Sequence, residues 1–367
     1  MRRLLASCSA ALAASTVAFG LFAGAAVADG PAPAGSPATA AATATTPTAT
    51  TSPTATTSPT ATKPTTTTTP PAAAAVTAHV KLYLANTFTV SRNEVTVPRR
   101  VVRVQGSVRP YVAGQKVKLR AYLGHKRIET DVLRVKPAPG GVGTFTEKVS
   151  SPRAGLVRVS ATHTRTAQML GFLAAREFTV LNPQAGFGAR GAFVALIQQR
   201  LTARHVYVPQ SGVYDTYTGL ALDAYHRLLG HGVSQALDAG TVADLLNGRG
   251  TFRVRHPRDG KHVEGDLSRQ LLAEINGPTV YRIYPISSGK PSTPTILGRF
   301  RVYYRVPGYL PDGMYFSSFF TGGYAIHGYN PAPDHPASHG CMRLPIIDAI
   351  SVYDWVGYGD WVDVYYE

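Results

Sequence analysis

The chain is poor in cysteine and in acidic residues, and past its first 28 positions it has no long apolar run. Two cysteines in 367 residues exclude a disulfide framework. Nothing after Ala28 is apolar for 18 residues together, so no further membrane-spanning helix is expected. The 21 acidic residues face 37 Lys and Arg, a formal net charge of +16, which draws a protein toward polyanions. The basic residues are scattered in short pairs such as Arg99-Arg100, with no tract interleaved with aromatics. Nucleic acid is therefore not the expected partner.

What is present divides the chain into five stretches. Residues 1–28 open on Arg2 and Arg3, continue as a largely apolar run and end in Ala26-Val27-Ala28, the build of a secretory signal peptide. Cleavage is expected to leave a soluble protein outside the cytoplasmic membrane, secreted or in the cell wall. Left uncleaved, the run is long enough to anchor the chain, so a membrane is a partner only in that case. Leu5-Ala6-Ser7-Cys8 also has the look of a lipobox, but almost no apolar segment precedes it. Residues 29–76 are Thr, Pro and Ala with a little Ser, and the unit Thr48-Ala49-Thr50-Thr51-Ser52-Pro53 is repeated at once. With nothing to bury, this stretch is expected to be a disordered tether.

Residues 77–182 alternate with a period of two, as in Val80-Lys81-Leu82-Tyr83-Leu84, Val117/Leu119/Ala121 and Val157/Val159/Ala161. Short strands separated by turn residues predict an Ig-like β-sandwich. Residues 185–249 change to a helical period: Phe193, Leu196, Ile197 and Leu201, then Leu220, Ala224, Tyr225 and Leu228, then Val242, Leu245 and Leu246 behind a cap at Asp238. A small three-helix module follows. Residues 252–367 return to strands rich in Tyr and Val, with one short helix expected near the end. In that helix Pro345 would take the first turn, Ile347, Ile350 and Trp355 would face inward, and Gly357 would stop it. Trp355 and Trp361 are expected in the core. The fold class is thus mainly β and multidomain.

If the signal is removed, Cys341 is the one cysteine left. A lone thiol outside the cell is either buried and inert or present for its chemistry. Its neighbourhood favours chemistry. The stretch Ile326-His327-Gly328-Tyr329-Asn330-Pro331-Ala332-Pro333-Asp334-His335-Pro336-Ala337-Ser338-His339-Gly340-Cys341-Met342-Arg343 puts it near three of the chain's eleven histidines. A free thiol supplies only a few per cent of thiolate near neutrality, and a histidine within reach takes its proton. The loop between His327 and Cys341 can fold back to bring the two together. The amides of Gly340 and Cys341 are candidates for an oxyanion hole. A zinc site built from His327, Asp334, His335, His339 and Cys341 fits no common ligand spacing. A papain-like order is excluded because here the histidine precedes the cysteine.

His-Gly-x-x, a short loop, then Ser-His-Gly-Cys-x-Arg resembles the signature of the L,D-transpeptidases with a YkuD-type catalytic domain. Val263-Glu264-Gly265-Asp266-Leu267, Ser287-Ser288-Gly289-Lys290 and Gly298-Arg299-Phe300 fit the same pattern, which covers about the last 110 residues. Upstream, Gly188-Ala189-Arg190-Gly191, Gln198-Gln199-Arg200-Leu201 and Gly212-Val213-Tyr214-Asp215 resemble a peptidoglycan-binding-like helical domain; the alternative is a helical spacer. The resemblance implies an acyltransferase of cell-wall biogenesis, acting on peptidoglycan stem peptides. Cys341 would attack the third residue of a donor stem, D-alanine would leave, and an amine of a second stem would close a 3→3 crosslink. His327 would be the base, its second ring nitrogen held by a carbonyl near Gly328 or Ser338. His339 would orient the site or help build the hole, with Gly340, Ser338 and Gly328 beside it. Arg343, where some members carry Asn, would hold a substrate carboxylate, and Tyr315 and Phe316 would line the cleft. No cofactor and no metal are implied, and carbapenem-type β-lactams are expected as covalent inhibitors. Water in place of the amine would make an L,D-carboxypeptidase. A non-catalytic wall-binding protein is the third reading.

Overall fold

The computed structural model describes residues 74–367, so the expected signal peptide and nearly all of the expected tether lie outside the described residues. Among the described residues no helix is long and apolar enough to cross a membrane. The fold is mainly β, with four helices and several sheets.

The first ten strands are β1 (His79–Ala85), β2 (Phe88–Val90), β3 (Asn93–Thr96), β4 (Val102–Arg109), β5 (Lys116–Leu123), β6 (Lys126–Arg134), β7 (Lys136–Ala138), β8 (Val142–Val149), β9 (Gly155–His163) and β10 (Phe172–Val180). They form two sheets, β1-β4-β8-β7 and β2-β3-β10-β9-β5-β6. Strict alternation explains why they stack. In β4, Val102, Val104 and Val108 are buried while Arg103, Gln105 and Arg109 are exposed, because successive side chains leave opposite faces. Those valines meet Val117, Leu119, Ala121, Val157 and Val159 of the second sheet in one core.

Three helices follow, α1 (Ala192–Thr202), α2 (Thr216–Leu228) and α3 (Ala239–Asn247). The Asp215 and Asp238 side chains accept from the amides of Thr218 and Thr241 and so satisfy one orphan donor at each start. Gly248 ends α3 in the left-handed region, where a Cβ would be strained.

The last part holds β11 (Lys261–Asp266), β12 (Leu271–Asn276), β13 (Thr279–Pro285), β14 (Gly298–Arg301), β15 (Tyr304–Tyr309), β16 (Tyr315–Thr321), β17 (Tyr324–Tyr329), β18 (Met342–Pro345), α4 (Ala349–Trp355) and β19 (Trp361–Tyr365). Two sheets result, β13-β12-β11-β19-β14 and β15-β16-β17-β18. Val263, Leu272, Tyr284, Phe320, Ile326, Met342 and Val362 form the core of this part.

The other side of β12 and β13 is not free. Leu271, Ala273, Ile275 and Ile283 share a core with α1, α2 and α3, into which Val90 and Val95 also reach. The segment before α2 even joins the sheet, since the Ile283 amide donates to His205 O and the Tyr207 amide to Ile283 O. Uncovering Leu271, Ile275 and Ile283 alone would cost roughly 5–9 kcal/mol, at 1.5–3 kcal/mol for each large aliphatic side chain. The helices are therefore welded to the last part, and residues Pro70–Glu367 behave as one compact unit.

The terminal helix differs from expectation. Pro345 closes β18, opposite Tyr329, so sheet pairing claims it before a helix can. The helix begins at Ala349 and turns Ala349 and Val352 inward, while Ile350 is 43% exposed. Trp355 and Trp361 are only partly buried. Trp355 packs against the core as expected, and each ring also carries a cation: Lys261 Nζ sits 4.9 Å from the Trp355 centroid and Arg301 Cζ 3.8 Å from that of Trp361.

Candidate active site

Strands β17 and β18 run parallel, with Ile326 opposite Met342 and His327 opposite Arg343. Ile326, Met342 and Leu344 enter the core. Alternation then turns His327, Arg343 and, one step ahead of β18, Cys341 to the other face. The structure thus brings the histidine and the only free cysteine among the described residues onto one face of two neighbouring strands.

The turn before Cys341 is built around Gly340. Its φ is +119°, and a Cβ there would lie 2.2 Å from Cε1 of Tyr324, so both backbone and space demand glycine. Ser338, fully buried, ties the turn: its Oγ accepts from the Gly340 amide at 3.0 Å and donates to Cys341 O at 2.6 Å. This corrects the sequence reading of the oxyanion donors. The Gly340 amide is already engaged, which leaves the amide of Cys341 as the donor beside the thiol. Gly328 has a packing role, since a Cβ would lie 2.6 Å from that of Ala349 on α4.

Burial governs the electrostatics of both reacting groups. His327 is 2% exposed, and desolvation pushes its pKa down to about 4, the nearby Arg343 charge adding to the effect and the Gly328 hydrogen bond opposing it. Of the two carbonyls expected to hold the ring it is Gly328 that does, accepting from Nδ1 at 2.8 Å. That contact leaves Nε2 as the bare, proton-accepting nitrogen. Cys341 is pushed up by burial, against the Ala325 amide and the Arg343 charge, which favour the thiolate. Its Sγ lies 3.6 Å from Gly323 O. The resting pair is therefore a neutral thiol and a neutral imidazole.

Arg343 stacks on Tyr329, 4.0 Å from the ring centroid, and its Nη1 donates to Ala337 O at 3.4 Å. Among the described residues it has no carboxylate partner, so its charge remains for a ligand. Exposed Asp312, in the turn between β15 and β16, is the opposing charge felt by both His327 and Cys341.

Two residues expected to line the cleft fall elsewhere. Tyr315 pairs with Gly328 across β16 and β17, hence on the face opposite His327. Phe316, at φ +49° in a bulge, is turned onto the same side and packs edge-on against Tyr353 of α4, 5.0 Å away. The two belong to an aromatic cluster with Tyr309 and do not line the face that carries Cys341. His339 is exposed and its Nε2 accepts from Lys290 Nζ at 3.2 Å. His335 is exposed too, paired with Asp334 at 2.8 Å.

Sequence reasoning passed over Asp312, Tyr329 as the seat of Arg343, and Tyr324 against Gly340. Only Tyr329 lies inside the run Ile326–Arg343 that the sequence singles out. A buried trio away from the thiol, His262, Glu264 and Asp363, offers metal-type ligand atoms within 4.8 Å of one another. Glu264 already accepts from the amides of Arg255 and His256 and from the Tyr365 hydroxyl, and Asp363 accepts from Arg299 Nε at 2.7 Å. With those lone pairs engaged, the trio belongs to an ion network.

Residues 260–364 match the family model of the L,D-transpeptidase catalytic domain, YkuD. That span holds His327, Ser338, Gly340, Cys341 and Arg343. Over those residues the chain is similar to the L,D-transpeptidase catalytic domain. Among solved structures it is similar to an L,D-transpeptidase fragment from Xylanimonas cellulosilytica, at 28% identity and a TM-score of 0.45 over 50% of this chain and 100% of that one. It is also similar to an L,D-transpeptidase from Mycobacterium smegmatis, at 14% identity and a TM-score of 0.26 over 78% and 99%. A third is an L,D-transpeptidase solved in complex with imipenem, at 15% identity and a TM-score of 0.26 over 76% and 98%. No curated protein matches the chain.

Proposed function

We propose that the protein is an exported L,D-transpeptidase that forms 3→3 crosslinks in peptidoglycan through a thioester on Cys341. The observation that carries this reading is the placement of His327 and Cys341 on one face of β17 and β18, inside the matched span. Sγ attacks the carbonyl of the donor's third residue while the thiol proton passes to Nε2 of His327. The carbonyl oxygen becomes an oxyanion facing the Cys341 amide. Collapse breaks the peptide bond to D-alanine, whose nitrogen takes the proton back from Nε2. An amine of a second stem then attacks the thioester, its proton passes through His327, and the thiol is restored. Because the resting pair is neutral, His327 acts as general base at the moment of attack and not as the counter-ion of a standing thiolate. Arg343 holds a substrate carboxylate. The sandwich, read as Ig-like, serves as spacer, and the helical module contacts the wall.

The test is intact-mass spectrometry of the full chain with a disaccharide tetrapeptide and, separately, imipenem. Expected are an adduct on Cys341, released D-alanine and a dimeric product. Adduct formation with only tripeptide released would replace the transpeptidase by an L,D-carboxypeptidase. No adduct on a titratable thiol would leave a wall-binding protein.

A further inference from the structure

Helix α2 sends one arginine out of its own module. Arg227 is 4% exposed and its Nη2 is paired with Asp223, one turn earlier, at 2.7 Å. The rest of the guanidinium reaches the last part of the chain. Nη1 donates to Gln270 O at 3.2 Å and Ile286 O at 3.0 Å, and Nη2 to Asp334 O at 3.0 Å. Asp334 lies in the loop that joins His327 to Cys341. A buried arginine is costly unless its donors are met. Here the acceptors that meet it are backbone carbonyls of Gln270 and Ile286, which flank the β12–β13 hairpin, and of Asp334 in the loop beside them.

From those carbonyls a series of hydrogen bonds, joined by single steps along the chain, runs to the backbone of Gly340 and Cys341. Next to Ile286, Ser287 donates through Oγ to His335 O at 2.6 Å. Next to Ser287, Ser288 O accepts the amides of Ala337 and Ser338, both at 2.9 Å. Gln270, whose carbonyl Arg227 holds, accepts the Ser288 amide on Oε1 at 2.8 Å. Ser338 then fixes the Gly340 amide and Cys341 O. Arg227 and Asp334 both line clefts of ≈ 270 and ≈ 360 Å³, so open space borders this tie.

We infer that Arg227 is a positioning residue that sets the loop carrying Cys341, which makes the helical module part of the catalytic scaffold. The inference rests on the proposed acyl-transfer reading for its effect on rate, though not for its effect on the loop. Reaction geometry is sensitive to such support, since a displacement of about 1 Å far from the chemistry costs about 10²-fold in rate.

The test uses the full chain with Asp223→Leu and Arg227→Met together. Replacing a buried ion pair by apolar groups of similar volume leaves no unpaired charge, so the fold is retained. Arg227→Lys is the second variant, since one ammonium cannot serve three carbonyls and Asp223 at once. Two quantities are read: the rate of Cys341 acylation by imipenem, and deuterium exchange at the amides of Ala337 and Ser338, with the sandwich amides of Val157 and Val159 as internal control. Expected are acylation slowed about 10²-fold and exchange at Ala337 and Ser338 faster by roughly tenfold or more with the controls unmoved. Unchanged exchange at the loop overturns the inference, whether or not acylation falls. A wild-type chain that imipenem does not acylate sinks the proposed function, and the exchange readout then decides the role of Arg227 alone.

Discussion

Glu274 gives a test of the five-stranded sheet β13-β12-β11-β19-β14 that is independent of any substrate. It lies on β12 opposite Arg282, is fully buried, and neither of its carboxylate oxygens has a partner. The nearby Tyr284 hydroxyl is engaged with Ser351 Oγ at 2.9 Å. Desolvation raises its pKa from 4.5 to about 8, the Arg282 charge opposing. The folded state therefore holds this proton more tightly than the unfolded chain does. Its contribution to stability is fully present below pH 4.5 and is lost as pH rises through about 8. At 1.36 kcal/mol per unit, linkage gives a loss of about 2.5 kcal/mol between pH 6 and pH 8.5 from this group. Glu274→Gln keeps the shape and removes the titration. Urea denaturation of both proteins across that range should show the wild type falling more steeply than the variant, with the gap opening by about 2.5 kcal/mol. Other groups titrate in the same window, Asp348 among them at about 7, but they are common to both proteins and cancel in the difference. Parallel curves would refute the reasoning, because they would mean that Glu274 keeps its ordinary acidity in the fold.

Further predictions concern the site. His327→Ala should slow acylation of Cys341 by roughly 10²–10⁴-fold, the usual range for a general base, with the melting temperature as control; a larger loss in His339→Ala would move the base to His339. Gly340→Ala should fold but lose acylation, because its methyl would collide with Tyr324; a crystal structure or an imipenem time course that matches wild type would contradict this. Arg343→Met should raise KM for a tetrapeptide donor more than it lowers kcat, as expected of a group that binds ground and transition states alike. Alkylation of Cys341 by iodoacetamide should keep rising with pH beyond the range of an ordinary thiol, since burial raises its pKa; a plateau near neutrality would reveal a standing thiolate.

The sequence was most legible where one local rule was enough. Period-two alternation marked Val117/Leu119/Ala121, and 3.6-residue periodicity with Asp238 marked α3. The candidate site was legible because Cys341 and His327 sit in one short run. What escaped depended on contacts distant in the chain. Nothing near Gly340 announces that Ser338 takes its amide, and Tyr315 could be placed on the α4 side only once the register with Gly328 was known. Pro345 carries a helix-start signal, yet the parallel ladder with β17 overrides it. The helical stripes were visible as a core, but not as a core shared with Leu271, Ile275 and Ile283. Arg227 carries no local signal at all, because its acceptors lie up to 107 positions away.

The neutral resting pair bears on where such an enzyme can work. Oxidation of a cysteine follows its thiolate character, and in the proposed location outside the cell a standing thiolate would be spent before meeting a donor. Cys341 is half-buried with its pKa raised, and His327 is held well below its ordinary value. Neither ionises readily until something changes the site. A bound donor carboxylate on Arg343 would make that change, because Arg343 is the cation that disfavours a protonated His327. Neutralising it raises the basicity of Nε2 and, because the same charge favours the thiolate, holds the thiol proton more tightly as well. A bound donor would thus shift both reacting groups through one arginine without creating a standing thiolate, and the proton moves to Nε2 only as Sγ attacks.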